Sequence, residues 1–254
     1  MNVKKMCIWI LSSIILNVLI LDSGSGQPID SRGITVEYDI KLSDVQTTGM
    51  LFLKNNRSVF EWLKFDSNEV SSKFNKKKGK FKINSRDTTG KFVCKKEHGK
   101  EMFSRNRTLS KYYYIKEKIP SIPWDLKQDE KVIGGYEAHK AVGAFRGRSY
   151  TVWYTPEIPI SNGPWKLGGV PGLILEAKDN VGEVSFQLKK IKKNIPSVKF
   201  TKCFAKKGIS WEEFRERFND SIDRFARYME SRMSGEAKVN INGIFNIEKS
   251  IIKE

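Results

Sequence analysis

The sequence predicts a mainly β protein: one large, curved antiparallel sheet, half-barrel-like, followed by a single C-terminal amphipathic helix. Three observations carry this expectation. Residues Ile34 to Leu42 alternate apolar and polar without a break. Short strand-forming runs then recur between polar turns as far as Ile191. A helical apolar period appears late, after Ser210. Alternation with period two buries one face of a strand and wets the other, the pattern of antiparallel sheets. Many short strands separated by turns favour a curved or partly closed sheet.

The elements follow in order. Lys4 and Lys5 precede a nearly continuous apolar run, Met6 to Leu21, and Asp22-Ser23-Gly24-Ser25-Gly26 ends it. That is the layout of a cleaved secretory signal peptide. The run is shorter than the roughly 20 residues of a membrane span. The expected organisation is therefore a leader over 1–26 and one β-rich domain over 27–254, exported to the periplasm or the outer-membrane periphery. In the first strand Ile34, Val36, Tyr38, Ile40 and Leu42 share one face. Strands over 50–54 and 58–65 flank a hairpin-like turn at Asn55-Asn56-Arg57. Residues 66–79 read as a mobile basic loop. Further strands are expected over 80–84, 91–95, 101–104, 112–116, 131–133, 136–145, 149–154, 173–177 and 184–191.

The helix is expected over about 210–233, with a tail over 236–254. Ser210 and Glu213 have the spacing of a capping box. Trp211, Phe214, Phe218, Ile222, Phe225 and Met229 then form one apolar stripe. Opposite charges mix on the remaining faces, which favours packing on the sheet over insertion at a membrane surface.

The formal charge is +17, and loss of Lys4, Lys5 and Asp22 with the leader would leave +16. Lysines concentrate at 73–82 and 189–207. Such fields suit a solvated surface or contact with anionic lipid head groups or lipopolysaccharide. No nucleic-acid motif accompanies them. Cys94 and Cys203 are the cysteines left after the leader. Two buried thiols are expected ahead of a bridge, although an oxidising compartment permits one.

Residues 145–179 are dense in Gly, Pro and Trp. Arg146 and Arg148, two apart, would point the same way on a strand and make a two-armed cationic site; pairing with Glu157 or Glu176 is the plainer reading. Val170-Pro171-Gly172-Leu173 matches a type II turn, with Gly172 at positive φ. Gly163-Pro164 turns the chain again, and Trp165 and Leu167 would sit at the tip of a stiff connection. That connection suits a lid, a docking loop or a structural corner.

Gly169-Val170-Pro171-Gly172-Leu173-Ile174 resembles the signature hexapeptide of the GLPGLI family of exported proteins of gram-negative bacteria, with Val in place of the first Leu. Trp124 with Lys127, the run Lys131 to Tyr136, Lys140-Ala141, Phe145 to Arg148 and Trp153 to Pro159 stand in similar order. The resemblance covers about 124–179 closely and 34–123 loosely. Ala138 stands where many members carry Cys. The family's proteins are generally of unknown function, and their sheet-rich pattern is similar to periplasmic carriers of acyl chains.

Catalysis has little support in the residues. The two histidines, His98 and His139, sit among lysines, and no metal-ligand spacing, serine elbow or phosphate loop is evident. Glu157 and Glu176 could form a carboxylate pair, but neighbouring acids more often pair with Arg or Lys. The sequence therefore points to a non-enzymatic periplasmic or outer-membrane-associated binding protein for a lipophilic or anionic ligand. It would use Arg146, Arg148, Trp153, Trp165 and Leu173, on a scaffold of Gly163, Pro164, Gly169, Pro171 and Gly172. No cofactor or metal is expected. The expected partners are lipid, lipopolysaccharide or an outer-membrane protein. The alternatives are an interaction module of an export or TonB-linked system, docking through 163–172, and an unrecognised hydrolase.

Overall fold

A computed structural model of the chain describes residues 33–43, 45–62, 72–75, 80–83, 89–97, 100–108, 111–193, 200–204 and 207–232. The expected leader, the tail over 236–254, Lys76 to Lys78 and His98 lie outside the described residues.

Thirteen strands are described: β1 (Ile34–Leu42), β2 (Val45–Lys54), β3 (Arg57–Trp62), β4 (Ser72–Asn75), β5 (Lys80–Ile83), β6 (Lys91–Lys96), β7 (Glu101–Arg107), β8 (Tyr112–Lys118), β9 (Asp125–Ile133), β10 (Tyr136–Phe145), β11 (Arg148–Thr155), β12 (Leu173–Asp179) and β13 (Val184–Lys192). Two helices, α1 (Thr201–Phe204) and α2 (Trp211–Arg232), follow. Eleven strands form one open sheet in the order β8-β7-β6-β3-β2-β1-β13-β12-β11-β10-β9, and β4 pairs with β5. Residues 72–75 of the expected loop over 66–79 are thus a strand, paired antiparallel with β5.

Every pairing in the large sheet is antiparallel, so short turns can set the registers. Asn55 and Asn56 have φ of 49° and 56°. Two successive left-handed residues make the hairpin turn whose twist matches that of the strands, and Asn tolerates them. β1 lies at the centre, and its alternation is observed from Val36 to Lys41, with Val36, Tyr38 and Ile40 buried and Asp39 and Lys41 exposed, whereas Thr35, expected on the wet face, is buried. β1 pairs β2 on one side and β13 on the other, so the first and last strands of the sheet meet mid-sheet.

Three apolar layers cover the sheet. The largest, on one face, joins Val36, Tyr38, Leu51, Phe60, Val152, Ile174 and Phe186 to residues of the β11–β12 connection. On the opposite face Phe52, Val59, Phe92, Cys94 and Phe103 meet Cys203, Phe200 and Phe204. There Cys94 and Cys203 form a disulfide with Cα atoms 5.9 Å apart. The expectation of two thiols is corrected: α1 brings the second sulfur onto β6 across 109 residues of sequence.

The third layer lies at the β8 edge, where α2 buries Trp211, Phe214, Phe218 and Ile222 beside Ile115. The Ser210 hydroxyl accepts the Glu213 N–H at 3.1 Å and starts the helix. Beside it, Lys116 N–H donates to Ile209 O and Ile209 N–H to Tyr114 O, so the edge of β8 is partly covered. The helix packs, as its mixed charges predicted. No helix among the described residues is long and apolar enough to cross a membrane.

Candidate functional site

The β11–β12 connection is a strap folded back onto the sheet, not a projecting tip. Ile158, Trp165, Leu167 and Val170 all belong to the main core. Trp165 is 1% exposed and Leu167 0%. Its ring lies 5.5 Å from Phe145 and 6.4 Å from Tyr150. The space between strap and sheet is filled by the chain's own side chains. Trp165 as a docking residue is therefore corrected to a core residue, and Leu173, equally buried, is core as well.

The glycines and prolines make this path possible. Pro164 O accepts the Leu167 N–H at 3.1 Å, closing the turn that carries Trp165 inward. A Cβ on Gly163 would lie 2.8 Å from the Ile174 Cβ, so strap and strand touch at backbone distance. Gly169 takes φ of 92° against the Trp124 indole, whose N–H donates to Gly168 O at 2.8 Å. The expected type II turn is corrected: Gly172 N–H donates to Val170 O at 2.8 Å, a three-residue turn centred on Pro171.

Buried ions tie the strap to the far half of the sheet. Lys95, on β6, is 3% exposed. Its ammonium donates to Leu167 O at 2.6 Å and to Asn162 Oδ1 at 3.0 Å. The Asn162 amide in turn donates to Ser58 Oγ and Glu97 Oε1 at 3.0 and 3.1 Å. Burial pushes the Lys95 ammonium down to about 8, opposed by the nearby Glu97 charge. The same burial pushes the Glu97 carboxyl up, opposed by Lys95.

A lysine with a lowered folded pKa binds fewer protons in the folded than in the unfolded chain between about pH 8 and 10.5. Its contribution to stability therefore rises with pH through that window, by on the order of 3 kcal/mol in full. Urea unfolding of the native chain and Lys95→Met at pH 7.5 and 10.3 should show the difference moving in favour of the native chain at the higher pH. A difference independent of pH would mean that Lys95 keeps an ordinary pKa in the fold.

A second ionic knot joins four elements. The Glu117 carboxylate on β8 pairs with Arg146 of the β10–β11 turn and with Lys166 of the strap, the latter at 2.5 Å. The Trp211 ring of α2 faces both cations, with the Arg146 Cζ 4.1 Å and the Lys166 Nζ 4.7 Å from its centroid. Buried charges need such partners, and a ring face adds to the carboxylate's attraction.

Arg146 and Gly147 have φ of 51° and 76°, so Arg146 stands in a two-residue turn and not on a strand beside Arg148. Arg148 instead bonds Asp179 at 2.5 Å and Glu183 at 2.7 Å. The two-armed cationic site is corrected to two separate structural contacts, Arg146 with Glu117 and Arg148 with both Asp179 and Glu183. Their partners are Glu117, Asp179 and Glu183, not Glu157 or Glu176, because strand order decides which carboxylates come near.

Trp153 is the remaining candidate. It is half-buried, with Lys131 Nζ 4.4 Å from its ring centroid. Lys131 also bonds Glu176 at 2.5 Å. Glu157 accepts the Glu137 N–H at 2.7 Å, so Glu157 and Glu176 hold separate partners.

The rim of the sheet at β9 and β10 carries a group that sequence reasoning passed over. His139 Nδ1 lies 3.3 Å from Glu130 Oε1, and His139 Nε2 lies 3.9 Å from Glu137 Oε1. One ligand atom from each of the three lies within 4.8 Å of the others, an arrangement able to hold a metal ion. The signal was present in the turn. Gly134 and Gly135 have φ of 59° and 88°, making a two-residue hairpin that places Ile133 opposite Tyr136. Counting back three places on each strand sets Glu130 opposite His139, while Glu137, two before His139, shares its face.

The comparisons with known proteins bear on the same segment. A model of the N-glycanase peptide, N-terminal domain, matches residues 100–210, under half of the chain. No curated protein matches. Two solved structures of PNGF-II, in space groups P21 and C2, share the fold. The first has a TM-score of 0.53 at 15% identity over 75% of this chain and 34% of that chain. The second has 0.51 at 16% over 76% and 33%. The chain thus spans about a third of the length of the solved chains it resembles. The segment that suggested the GLPGLI family lies within 100–210, and the match there is to a different family. The GLPGLI assignment is corrected on that ground. The readings of a non-enzymatic binding protein and of an export-linked docking module are corrected as well, since the matching model is that of a domain of an N-glycanase.

Proposed function

We propose that this chain works in N-glycanase-type chemistry, the enzymatic release of glycans from glycoprotein asparagine side chains. Its part would be that of an N-terminal-type domain that engages the glycoprotein for the reaction. The single observation that carries the reading is the family match over 100–210. That stretch holds the strap and all five strands from β9 to β13. The shared fold of PNGF-II is consistent with it. The architecture suits a rigid presenting surface: strap, sheet and helix are cross-tied by Lys95, Glu117 and the Cys94–Cys203 disulfide. A scaffold of this kind positions substrate groups at low entropic cost.

The test compares an immobilised high-mannose glycoprotein with the same protein after its glycans are removed. The full chain should be retained by the first and pass through the second. Mass spectrometry of the eluted glycoprotein reads, in the same run, whether glycosylated Asn has been converted to Asp. Equal behaviour on both columns with no conversion would refute the reading.

A further inference from the structure

We propose that Glu130, Glu137 and His139 form a binding site for one divalent transition-metal ion, zinc being the best fit to the donor set. This goes beyond the glycoprotein reading and does not depend on it.

The donors are one imidazole and two carboxylates, a set that zinc accepts. Two ligands about 2.1 Å from a tetrahedral zinc lie about 3.4 Å apart. The 3.3 Å between His139 Nδ1 and Glu130 Oε1 matches that separation without any movement of the strands. Glu137 stands two residues before His139 on β10, its carboxylate 3.9 Å from the other ring nitrogen, Nε2, and one donor atom from each of the three lies within 4.8 Å of the others.

The charge balance around the three is unusual for this chain. Lys and Arg number 46 against 29 Asp and Glu. Yet among the described residues no lysine or arginine pairs with Glu130 or Glu137; His139 is the partner of both. The neighbouring lysines are engaged elsewhere, Lys131 with Glu176 and Lys140 with Asp129 at 3.2 Å. A third carboxylate, Glu157, holds the Glu137 backbone N–H and so fixes the start of β10. The Glu130 and Glu137 side chains are 56% and 61% exposed, so a cation can reach them from solvent.

Two structural devices hold the donors in place. The Gly134-Gly135 turn sets the register that opposes Glu130 and His139. The His139 ring packs 5.9 Å from Tyr154, which lies opposite it on β11. Three protein ligands leave the fourth position of a tetrahedral ion to water or another donor.

Calorimetric titration of chelator-treated full-length protein with zinc chloride tests the site. The expected result is one zinc per chain, with binding weakened at least tenfold in His139→Ala and in Glu130→Gln. Asp125→Asn, an exposed carboxylate on the same strand, should bind as the native chain does. X-ray absorption of the loaded protein should show one nitrogen among light-atom ligands at about 2.0–2.1 Å. Circular dichroism of the variants confirms that they fold. Absence of stoichiometric zinc, or unchanged binding by folded His139→Ala and Glu130→Gln proteins, would overturn the proposal.

Discussion

Gly172→Ala is expected to cost more than alanine at the other described glycines, on the order of 4 kcal/mol or more, with loss of soluble protein as the simplest readout. Two effects act together. The residue takes φ of 154°, outside the range that side chains favour. An added Cβ would also stand 2.1 Å from Thr155 O, 2.6 Å from Thr155 C and 3.0 Å from Pro156 N. Those are backbone atoms at the end of β11, and they cannot rotate away. Relief would require the strap and β11 to separate, which would break the Leu173 N–H bond to Ile158 O beside it. Gly135 provides the control, because it takes φ of 88° with nothing within 4 Å of an added Cβ. Gly135→Ala should cost only the left-handed penalty, about 1–2 kcal/mol. Equal losses of melting temperature in the two variants would show that the close approach at Gly172 has no energetic weight.

Trp165→Ala should lower stability by roughly 3–5 kcal/mol, the usual loss on truncating a large buried aromatic. For a domain of this size that corresponds to a fall in Tm on the order of 10 °C. The indole fills the space under the strap between Phe145 and Tyr150. Its neighbour Lys166 is fully buried and salt-bridged to Glu117. A void at Trp165 would sit directly beside that ion pair, where entering water would weaken it. The residue also holds φ of 53°, so Ala would inherit the left-handed strain without the packing that offsets it. A variant melting within 2 °C of the native chain would return Trp165 to the surface and the strap to a docking loop.

Much of the sheet was legible because local rules set it. Alternation located β1, strand-forming runs between turns located β10 and β13 to within a residue or two, and the Ser210 cap and apolar stripe located α2 equally well. Asn55-Asn56 announced its hairpin. Gly134-Gly135 carried the signal of another that the sequence reading did not use, so the pairing of Glu130 with His139 emerged only from the observed register. The hexapeptide around Pro171 was legible as a rigid corner and misleading as a family mark. Its residues answer a geometric need, the approach of Gly172 to Thr155, which folds of different function can share.

What the sequence by itself determined is most of the strands, the hairpin turn at Asn55-Asn56, and the position of the helix. All of these depend on residues a few places apart, whose backbone preferences and side-chain period are written locally. Only the tertiary structure decided that the Gly/Pro segment folds inward, that Cys94 meets Cys203, and that Glu117 receives Arg146 and Lys166. The cause is the open sheet. An eleven-stranded open surface leaves a wide apolar face that must be covered. The strap, α1 and α2 each cover the part that chain length and connectivity let them reach. The burial of Trp165 and Leu167 there goes with desolvation of Lys95 and Lys166, which is offset because Lys95 meets strap residues 67 and 72 places away and Lys166 meets Glu117 of β8, 49 places away. Those coincidences arise from strand order, which no local period encodes.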